Sequence, residues 1–359
     1  MISGKYLRMI VMLSIMVLLS GLTACGVQKN TDKTTSVAED TAIVEEQSRV
    51  TLTVESETAV TEELQSREQN MEESVGNCET KTQEEMVTPQ DEVPAETAQM
   101  QPVEYTDLQQ ITLDPDWEYA DHSKINTGAA VLYRAPEESG RKGIVIGVNA
   151  GHGTAGGAKV KTLCHPDGSA KVTGGSTAAG ATEAAAVSGG MTFQDGTPER
   201  EVTLRMAQIL RDKLLSSGYD VLMLRDSEDV QLDNVSRTVI CNNVADCHIA
   251  LHWDSGDGKN YDKGCFHISV PEALKTMEPV ASHWQQHDTL GTDLVEGLRE
   301  QGAMIYGKGN MSIDLTQTSY STIPSVDMEL GNAYSDHSDV VLEQLATGLL
   351  AGINTYFEQ

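Results

Sequence analysis

The sequence predicts an α/β domain in which helices flank a central, mostly parallel sheet, preceded by a disordered acidic tether. In residues 121–359, apolar runs of strand type alternate with amphipathic stretches of helical period, an order typical of parallel sheets. The aromatic residues support the same division, because none occurs from Gly26 to Glu104. Charge supports it too, since residues 26–120 hold 23 Asp and Glu against 5 Lys and Arg.

The N-terminal residues 1–24 predict a lipoprotein signal peptide. Lys5 and Arg8 precede an apolar run that is shorter than the about 20 residues needed to span a bilayer. The run ends in Leu22-Thr23-Ala24-Cys25, which resembles the lipobox of bacterial lipoproteins and implies that Cys25 carries the lipid. We therefore expect an exported chain, lipid-anchored to the outer face of the bacterial cell membrane. An uncleaved signal anchor is the alternative.

Residues 25–120 predict a disordered linker between this anchor and the folded domain. Low hydrophobicity combined with one dominant sign of charge leaves too little apolar surface to form a core. The whole chain carries a formal net charge of −29. Nucleic acid is therefore excluded as a partner, because phosphate binding needs clustered positive charge.

Residues 121–359 contain the elements of the predicted α/β domain. Continuous apolar runs predict buried strands, and apolar residues spaced three and four apart predict helices. Gly218 is placed to end the first helix. The predicted strands are 143–149, 219–224, 248–251, 265–270 and 325–329, and the predicted helices are 200–217, 232–242, 284–301 and 339–357.

Polar residues stand where three of the predicted strands end. His152 follows the first strand, His252 follows the third, and Glu329 ends the last. Because the carboxyl ends of parallel strands meet at one edge of a sheet, these side chains are expected to converge. Two histidines and a carboxylate suit a zinc site with three protein ligands and one open position. Gly151 and Gly153 would let the backbone turn sharply and leave space beside the metal.

The third ligand of such a site should be another acid, and Glu199 at the start of the first helix is well placed. The residues then match a known pattern. They resemble the zinc-dependent N-acetylmuramoyl-L-alanine amidases of the bacterial cell wall, the Amidase_3 type. The resemblance covers Ile144 to Phe357 and rests on these ordered segments: Gly151-His152-Gly153, Glu199-x-x-Val202-x-Leu204, Gly218-Tyr219-x-Val221-x-x-x-Arg225, Arg237, Ala245-Asp246 and Pro324-x-Val326-x-x-Glu329-Leu330-Gly331.

The resemblance implies a set of roles. His152, Glu199 and His252 would bind one zinc ion, and Glu329 would be the catalytic carboxylate. The substrate would be peptidoglycan, cleaved by zinc-activated water at the amide bond between N-acetylmuramic acid and L-alanine of the stem peptide. Two alternatives remain open at this stage. One is a zinc peptidase acting on stem peptides, and the other is a non-catalytic peptidoglycan-binding lipoprotein.

The sequence departs from the family pattern at two places. Asp254 stands two residues after the second histidine, where the family usually has Asn. Residues 154–198 separate the first two ligands by more positions than is common, and they predict a long loop over the substrate groove. This inserted segment leaves Glu183 and Glu201 open as replacements for Glu199 in the metal site.

The other polar residues of the domain are expected to be structural. His248 and His267 alternate with apolar residues, and Arg225 and Arg237 are expected in buried ion pairs or caps. The domain also has four cysteines, Cys164, Cys241, Cys247 and Cys265, and an exported chain can form disulfides. Cys241 and Cys247 flank the same turn, so these two are a candidate pair.

Overall fold

An eight-stranded sheet organises the part of the chain that the computed structural model describes, residues 107–256, 258 and 260–358. Its strands are β1 (Leu108–Ile111), β2 (Ala130–Tyr133), β3 (Val145–Ala150), β6 (Asp220–Met223), β7 (Cys247–Asp254), β8 (Cys265–Ser269), β9 (Ile305–Ser312) and β10 (Ser325–Asn332). A separate hairpin consists of β4 (Lys161–Leu163) and β5 (Glu183–Ala185).

Five α-helices accompany these strands within the described residues. They are α1 (Glu199–Ser216), α2 (Asn234–Val244), α3 (Val280–Glu300), α4 (Thr316–Tyr320) and α5 (Asp339–Phe357). The first helix ends where predicted, because Gly218 adopts a positive φ of 87° that few other residues tolerate. No helix of the described residues has both the length and the apolar character required to cross a bilayer.

The strand order is β1-β2-β6-β3-β7-β10-β8-β9. The four central strands β6, β3, β7 and β10 are parallel, whereas β1, β2 and β8 each pair antiparallel with a neighbour. The predicted mixed α/β domain with a mostly parallel sheet flanked by helices is confirmed.

The two faces of the sheet differ in character. Alternate residues Ile249, Leu251 and Trp253 of β7 point into the main core, which α1, α3 and α5 complete with leucines at helical spacing. The intervening residues His248, Ala250 and His252 point to the opposite face, which we call the polar face. The helices α2 and α4 lie against this polar face. The candidate site lies on it.

The folded part begins before the predicted boundary at residue 121. Residues 108–111 form β1, which pairs antiparallel with β2, and Leu113 and Trp117 pack against a core cluster. The prediction missed β1 because this edge strand is held by backbone hydrogen bonds and three of its four residues are exposed. The predicted signal peptide, including Cys25, and residues 25–106 of the predicted tether lie outside the described residues.

The cysteines of the domain are buried free thiols, so the candidate pair Cys241–Cys247 is not a disulfide in this structure. Cys241 lies on α2 with its Sγ against the backbone of Gly147: a Cβ placed on that glycine would come within 2.6 Å of the sulfur. Burial raises the pKa of Cys265 to about 12, which keeps this thiol protonated and unreactive.

Buried neutral histidines predict a loss of stability in acid. Burial lowers the pKa of His267 to about 4 and of His287 to about 3, below the ordinary value of 6.5. The unfolded chain therefore binds protons that the folded chain cannot. The free energy of unfolding has its full value above pH about 6.5. As the pH drops from there towards 4, each of these histidines lowers it by about 1.4 kcal/mol per pH unit.

The measurement is urea unfolding between pH 5 and 7.5, with a chelator present throughout. His267→Gln is expected to reduce the slope of the unfolding free energy against pH, because its side chain does not titrate. The slope is compared rather than the absolute stability, so a general weakening of the variant does not obscure the result. An identical slope in both proteins would contradict the assignment of His267 as a buried, neutral histidine.

Candidate metal centre

Three metal-ligating side chains meet at the carboxyl ends of β3 and β7. His152 follows β3, His252 lies on β7, and Glu199 begins α1. Their ligand atoms lie within 4.8 Å of one another. His152 Nε2 is 2.9 Å from Glu199 Oε1, and His252 Nδ1 is 3.1 Å from each of those two atoms. The structure thus brings together the three ligands predicted from the sequence, and we call them the ligand cluster.

The ligand cluster fits a zinc ion. Tetrahedral zinc bonds of 2.0–2.1 Å require ligand atoms about 3.3 Å apart, so an outward movement of a few tenths of an ångström is enough. His152 has the required tautomer, because its Nδ1–H donates to the carbonyl oxygen of Ser188 at 3.0 Å and leaves the Nε2 lone pair free. The donor set of two imidazoles and one carboxylate is one that zinc prefers.

Glu199 is fixed as an ionised carboxylate. The backbone N–H of Met191 donates to its Oε2 at 2.8 Å, and the N–H of Trp253 donates to its Oε1 at 3.0 Å. In the metal-free site burial opposes ionisation of Glu199, but hydrogen bonds and charges from protonated His152 and His252 outweigh it and hold the pKa of Glu199 far below its usual range. When the two imidazoles present their lone pairs to a metal instead, the bound metal would take over as the cationic partner of this carboxylate.

The two alternative acids do not reach the ligand cluster. Glu183 is an exposed residue of β5, and Glu201 is an exposed residue of α1 that lies 3.6 Å from Arg200 in an ion pair. Of these acids, only Glu199 is buried against both histidines. Of the three acids considered, the structure places Glu199 alone among the ligands.

Glu329 lies on β10 directly beside His252, its register partner on the parallel strand β7. Its Oε2 is buried and has no hydrogen-bond partner among the described residues. In the metal-free site, burial together with the nearby carboxylate of Asp327 raises the pKa of Glu329 well above its usual range. The positive charge of a bound metal would favour the ionised form, in which Glu329 can accept a proton. A side chain placed next to the ligand cluster with an uncommitted oxygen is available for proton transfer.

Asp327 is a further residue of this site that the sequence analysis missed. Its Oδ2 lies 3.8 Å from Nε2 of His252, the ring nitrogen that does not face the other ligands. At this distance the contact is electrostatic rather than a hydrogen bond, and a negative charge there favours a proton on Nε2. The signal was present in the sequence, because the two-residue period of a strand places Asp327 on the same face as Glu329.

Two buried arginines hold the turn that carries His152, whose φ is +65°. Arg225 donates from Nε to the carbonyl oxygen of Ala150 at 3.1 Å and from Nη2 to that of Gly151 at 2.9 Å. Arg237 donates from Nη2 to the carbonyl oxygen of His152 at 2.7 Å. The sequence predicted buried ion pairs or caps, and the structure shows instead guanidinium groups bound to backbone carbonyls. They fix the first ligand's backbone.

Gly151 is required by the close approach of His252. A Cβ at this position would lie 2.2 Å from Cε1 of the His252 ring, so the ring would have to move. We expect Gly151→Ala to weaken zinc binding by roughly 10–100-fold, a loss typical when the support of a ligand is disturbed. Gly174→Ala is the control, because its Cβ would meet no atom closer than 3.8 Å. Competition with a chelator measures both affinities, and equal affinities would refute the steric argument.

A cavity of about 170 Å³ opens beside the ligand cluster on the polar face. His152, His252 and Asp327 line one side. The inserted segment 154–198 lines the other, and it includes the β4–β5 hairpin rather than being the uninterrupted loop predicted. The segment therefore forms part of the wall of the site.

Comparison with solved structures shows a likeness in fold. The chain is similar in fold to the N-acetylmuramyl-L-alanine amidase Ami1 of Mycobacterium smegmatis, with 16% identity, a TM-score of 0.50, and coverage of 60% of this chain and 97% of that one. Ami1 of Mycobacterium abscessus gives 19% identity, a TM-score of 0.49, and coverage of 60% and 99%. A search of curated protein sequences finds no match.

The family model for N-acetylmuramoyl-L-alanine amidase, Amidase_3, matches residues 146–349. This range is more than half of the chain, and it contains the whole ligand cluster, Asp327 and Glu329. The chain belongs to the Amidase_3 family of N-acetylmuramoyl-L-alanine amidases.

Proposed function

We propose that this chain is a zinc-dependent peptidoglycan hydrolase that cleaves the amide bond between N-acetylmuramic acid and L-alanine of the stem peptide. The observation that carries the proposal is the ligand cluster of His152, Glu199 and His252, which stands beside the uncommitted carboxylate of Glu329 in a chain of the amidase family. Three protein ligands leave one metal position open, as in catalytic rather than structural zinc sites.

A zinc ion held by these ligands would lower the pKa of a water molecule and polarise the scissile carbonyl. The protein supplies the proton transfers. Glu329 accepts a proton from the attacking water, whose oxygen bonds to the lactyl carbonyl carbon. Glu329 then donates that proton to the nitrogen of L-alanine as the C–N bond breaks. The products are a lactyl carboxylate on the glycan and a peptide with a free amine.

The remaining polar groups keep the ligands in position. The Ser188 carbonyl holds the proton on Nδ1 of His152, and Asp327 faces Nε2 of His252, so each imidazole presents its other nitrogen. Arg225 and Arg237 fix the backbone on either side of His152. Because these contacts exist before substrate binds, little reorganisation is needed during the reaction.

A defined muramoyl peptide tests the proposal. After incubation of N-acetylmuramoyl-L-alanyl-D-isoglutamine with the zinc-loaded chain, mass spectrometry should detect N-acetylmuramic acid and a dipeptide that begins with L-alanine. A peptidase would leave L-alanine attached to the muramic acid, and a binding protein would leave the substrate intact. Either of these results would overturn the proposal.

We further propose that the chain is exported and anchored by lipid on Cys25, a proposal that the lipobox supports. Cys25→Ala is expected to move the protein from the membrane fraction to the soluble fraction or to leave it unprocessed, because two acyl chains are needed for stable anchoring. Cys78→Ala is the matched control and should remain in the membrane fraction. A Cys25→Ala protein that stays there with the normal mature mass would refute the proposal.

A further inference from the structure

We propose that the cavity beside the ligand cluster is an anion subsite, in which Lys161 pairs with a carboxylate of the stem peptide just beyond L-alanine. This inference rests on the proposed function, because it concerns the substrate of the same site. It follows from the cations in the cavity wall, from the way the inserted segment is held, and from the chemistry of the peptide.

Lys161 is the uncommitted cation of the cavity. It begins β4, lines the cavity and is exposed, and its side chain makes no ion pair or hydrogen bond with any other described residue. The other lysine of the wall, Lys171, is buried, with its Nζ bonded to the carbonyl oxygen of Asp314 and 3.7 Å from Oδ1 of the same residue. The guanidinium of Arg237 is occupied by backbone carbonyls.

The charge of the cavity is opposite to that of the chain as a whole. The chain carries a formal net charge of −29, yet the cavity wall contains Lys161, Lys171 and Arg237. Asp327 is the only acidic residue among the residues that line it, and its carboxylate faces His252. Because Lys171 and Arg237 are already engaged, Lys161 is the cation of this wall that is available to attract an anionic ligand.

The fold of the inserted segment holds the backbone that carries Lys161. Asp314 anchors the segment, because its Oδ1 lies 2.9 Å from Nε2 of the buried His165 and its Oδ2 accepts from the N–H of Val172 at 2.7 Å. Lys161 itself is paired with Ala185 in the two-stranded hairpin. The backbone of Lys161 is therefore ordered before the ligand binds. This order lowers the entropic cost of pairing the lysine with a ligand carboxylate.

The stem peptide supplies a matching group. In a stem peptide the second residue, D-isoglutamate, is linked to the third residue through its γ-carboxyl, so its α-carboxylate stands free one residue beyond L-alanine. We place the scissile carbonyl at the ligand cluster and this carboxylate in the adjoining cavity, which His152 and His252 also line. An ammonium–carboxylate pair at a partly exposed site is worth a factor of roughly five in affinity. The subsite therefore selects acidic over amidated stems.

Equilibrium binding separates this inference from the proposed function. The chain with Glu329→Gln, which is expected to bind without turnover, is titrated with N-acetylmuramoyl-L-alanyl-D-isoglutamate and with the corresponding D-isoglutamine compound, each with its γ-carboxyl blocked as a methylamide to resemble the amide link of a longer stem. The two ligands differ only in a carboxylate and a carboxamide. We expect roughly fivefold tighter binding of the carboxylate, and we expect Lys161→Gln to remove this preference without weakening binding of the amide.

Lys159→Gln is the control, because Lys159 is an exposed lysine of the same segment that does not line the cavity. It should keep the full preference for the carboxylate. Equal affinity for the two ligands in the presence of Lys161, or a preference that persists after Lys161→Gln, would overturn the inference. Hydrolysis by the unsubstituted chain is measured separately, so loss of the proposed function and loss of the subsite give different results.

Discussion

Substitution of Glu329 with glutamine is expected to lower hydrolysis of muramoyl peptides by about 10²–10⁴-fold, the usual contribution of a positioned general base and acid. Glutamine keeps the size and hydrogen-bonding capacity of the side chain but cannot accept the proton of the attacking water. The ligand cluster does not include Glu329, so zinc content and the thermal unfolding temperature should stay close to those of the unsubstituted chain.

The control for this substitution is Glu300→Gln, which makes the same chemical change at an exposed residue at the end of α3. It should leave turnover unchanged. Loss of zinc together with activity in Glu329→Gln would assign Glu329 to the metal site instead. Near-normal turnover with zinc bound would exclude the proton-transfer role.

Removal of either histidine of the ligand cluster is expected to abolish stoichiometric zinc binding and, with it, activity. His152→Ala and His252→Ala each delete one of three donors, and two donors in an open site do not hold zinc tightly. Glu199→Ala is expected to weaken binding as well, because its Oε1 lies within 3.1 Å of both imidazoles. Metal content after dialysis against limiting zinc measures each loss.

The alternative acids provide the matched controls for Glu199. Glu183→Ala and Glu201→Ala remove carboxylates that are exposed on β5 and α1, so both variants should retain zinc. A Glu183→Ala chain that loses zinc, alongside a Glu199→Ala chain that keeps it, would show that the inserted segment supplies the third ligand.

The central strands of the fold were predictable because a strand that is buried on both faces consists mainly of apolar residues. The runs around Ile146 and Ile249 are continuous apolar segments, and both form parallel strands inside the sheet. The edge strands β1 and β9 were missed for the opposite reason. Their side chains are largely exposed, so their pairing depends on backbone hydrogen bonds that composition does not reveal.

The same distinction applies to the candidate site. The positions of His152, His252 and Glu329 at strand ends could be predicted, since parallel strands bring such residues to one edge. The choice of Glu199 over Glu183 required the structure, because it depends on where the inserted segment lies. The groups that orient the ligands, such as the Ser188 carbonyl and the Met191 amide, are backbone atoms, and no side-chain pattern encodes them.

Analysis of the products from purified peptidoglycan tests the central claim most directly. After digestion with the zinc-loaded chain, mass spectrometry and N-terminal labelling identify the first residue of each released peptide and the group left on the glycan. The account predicts intact stem peptides that begin with a free L-alanine amine, and glycan strands whose muramic acid keeps a lactyl carboxylate. Peptides that lack L-alanine, or L-alanine retained on the muramic acid, would contradict it.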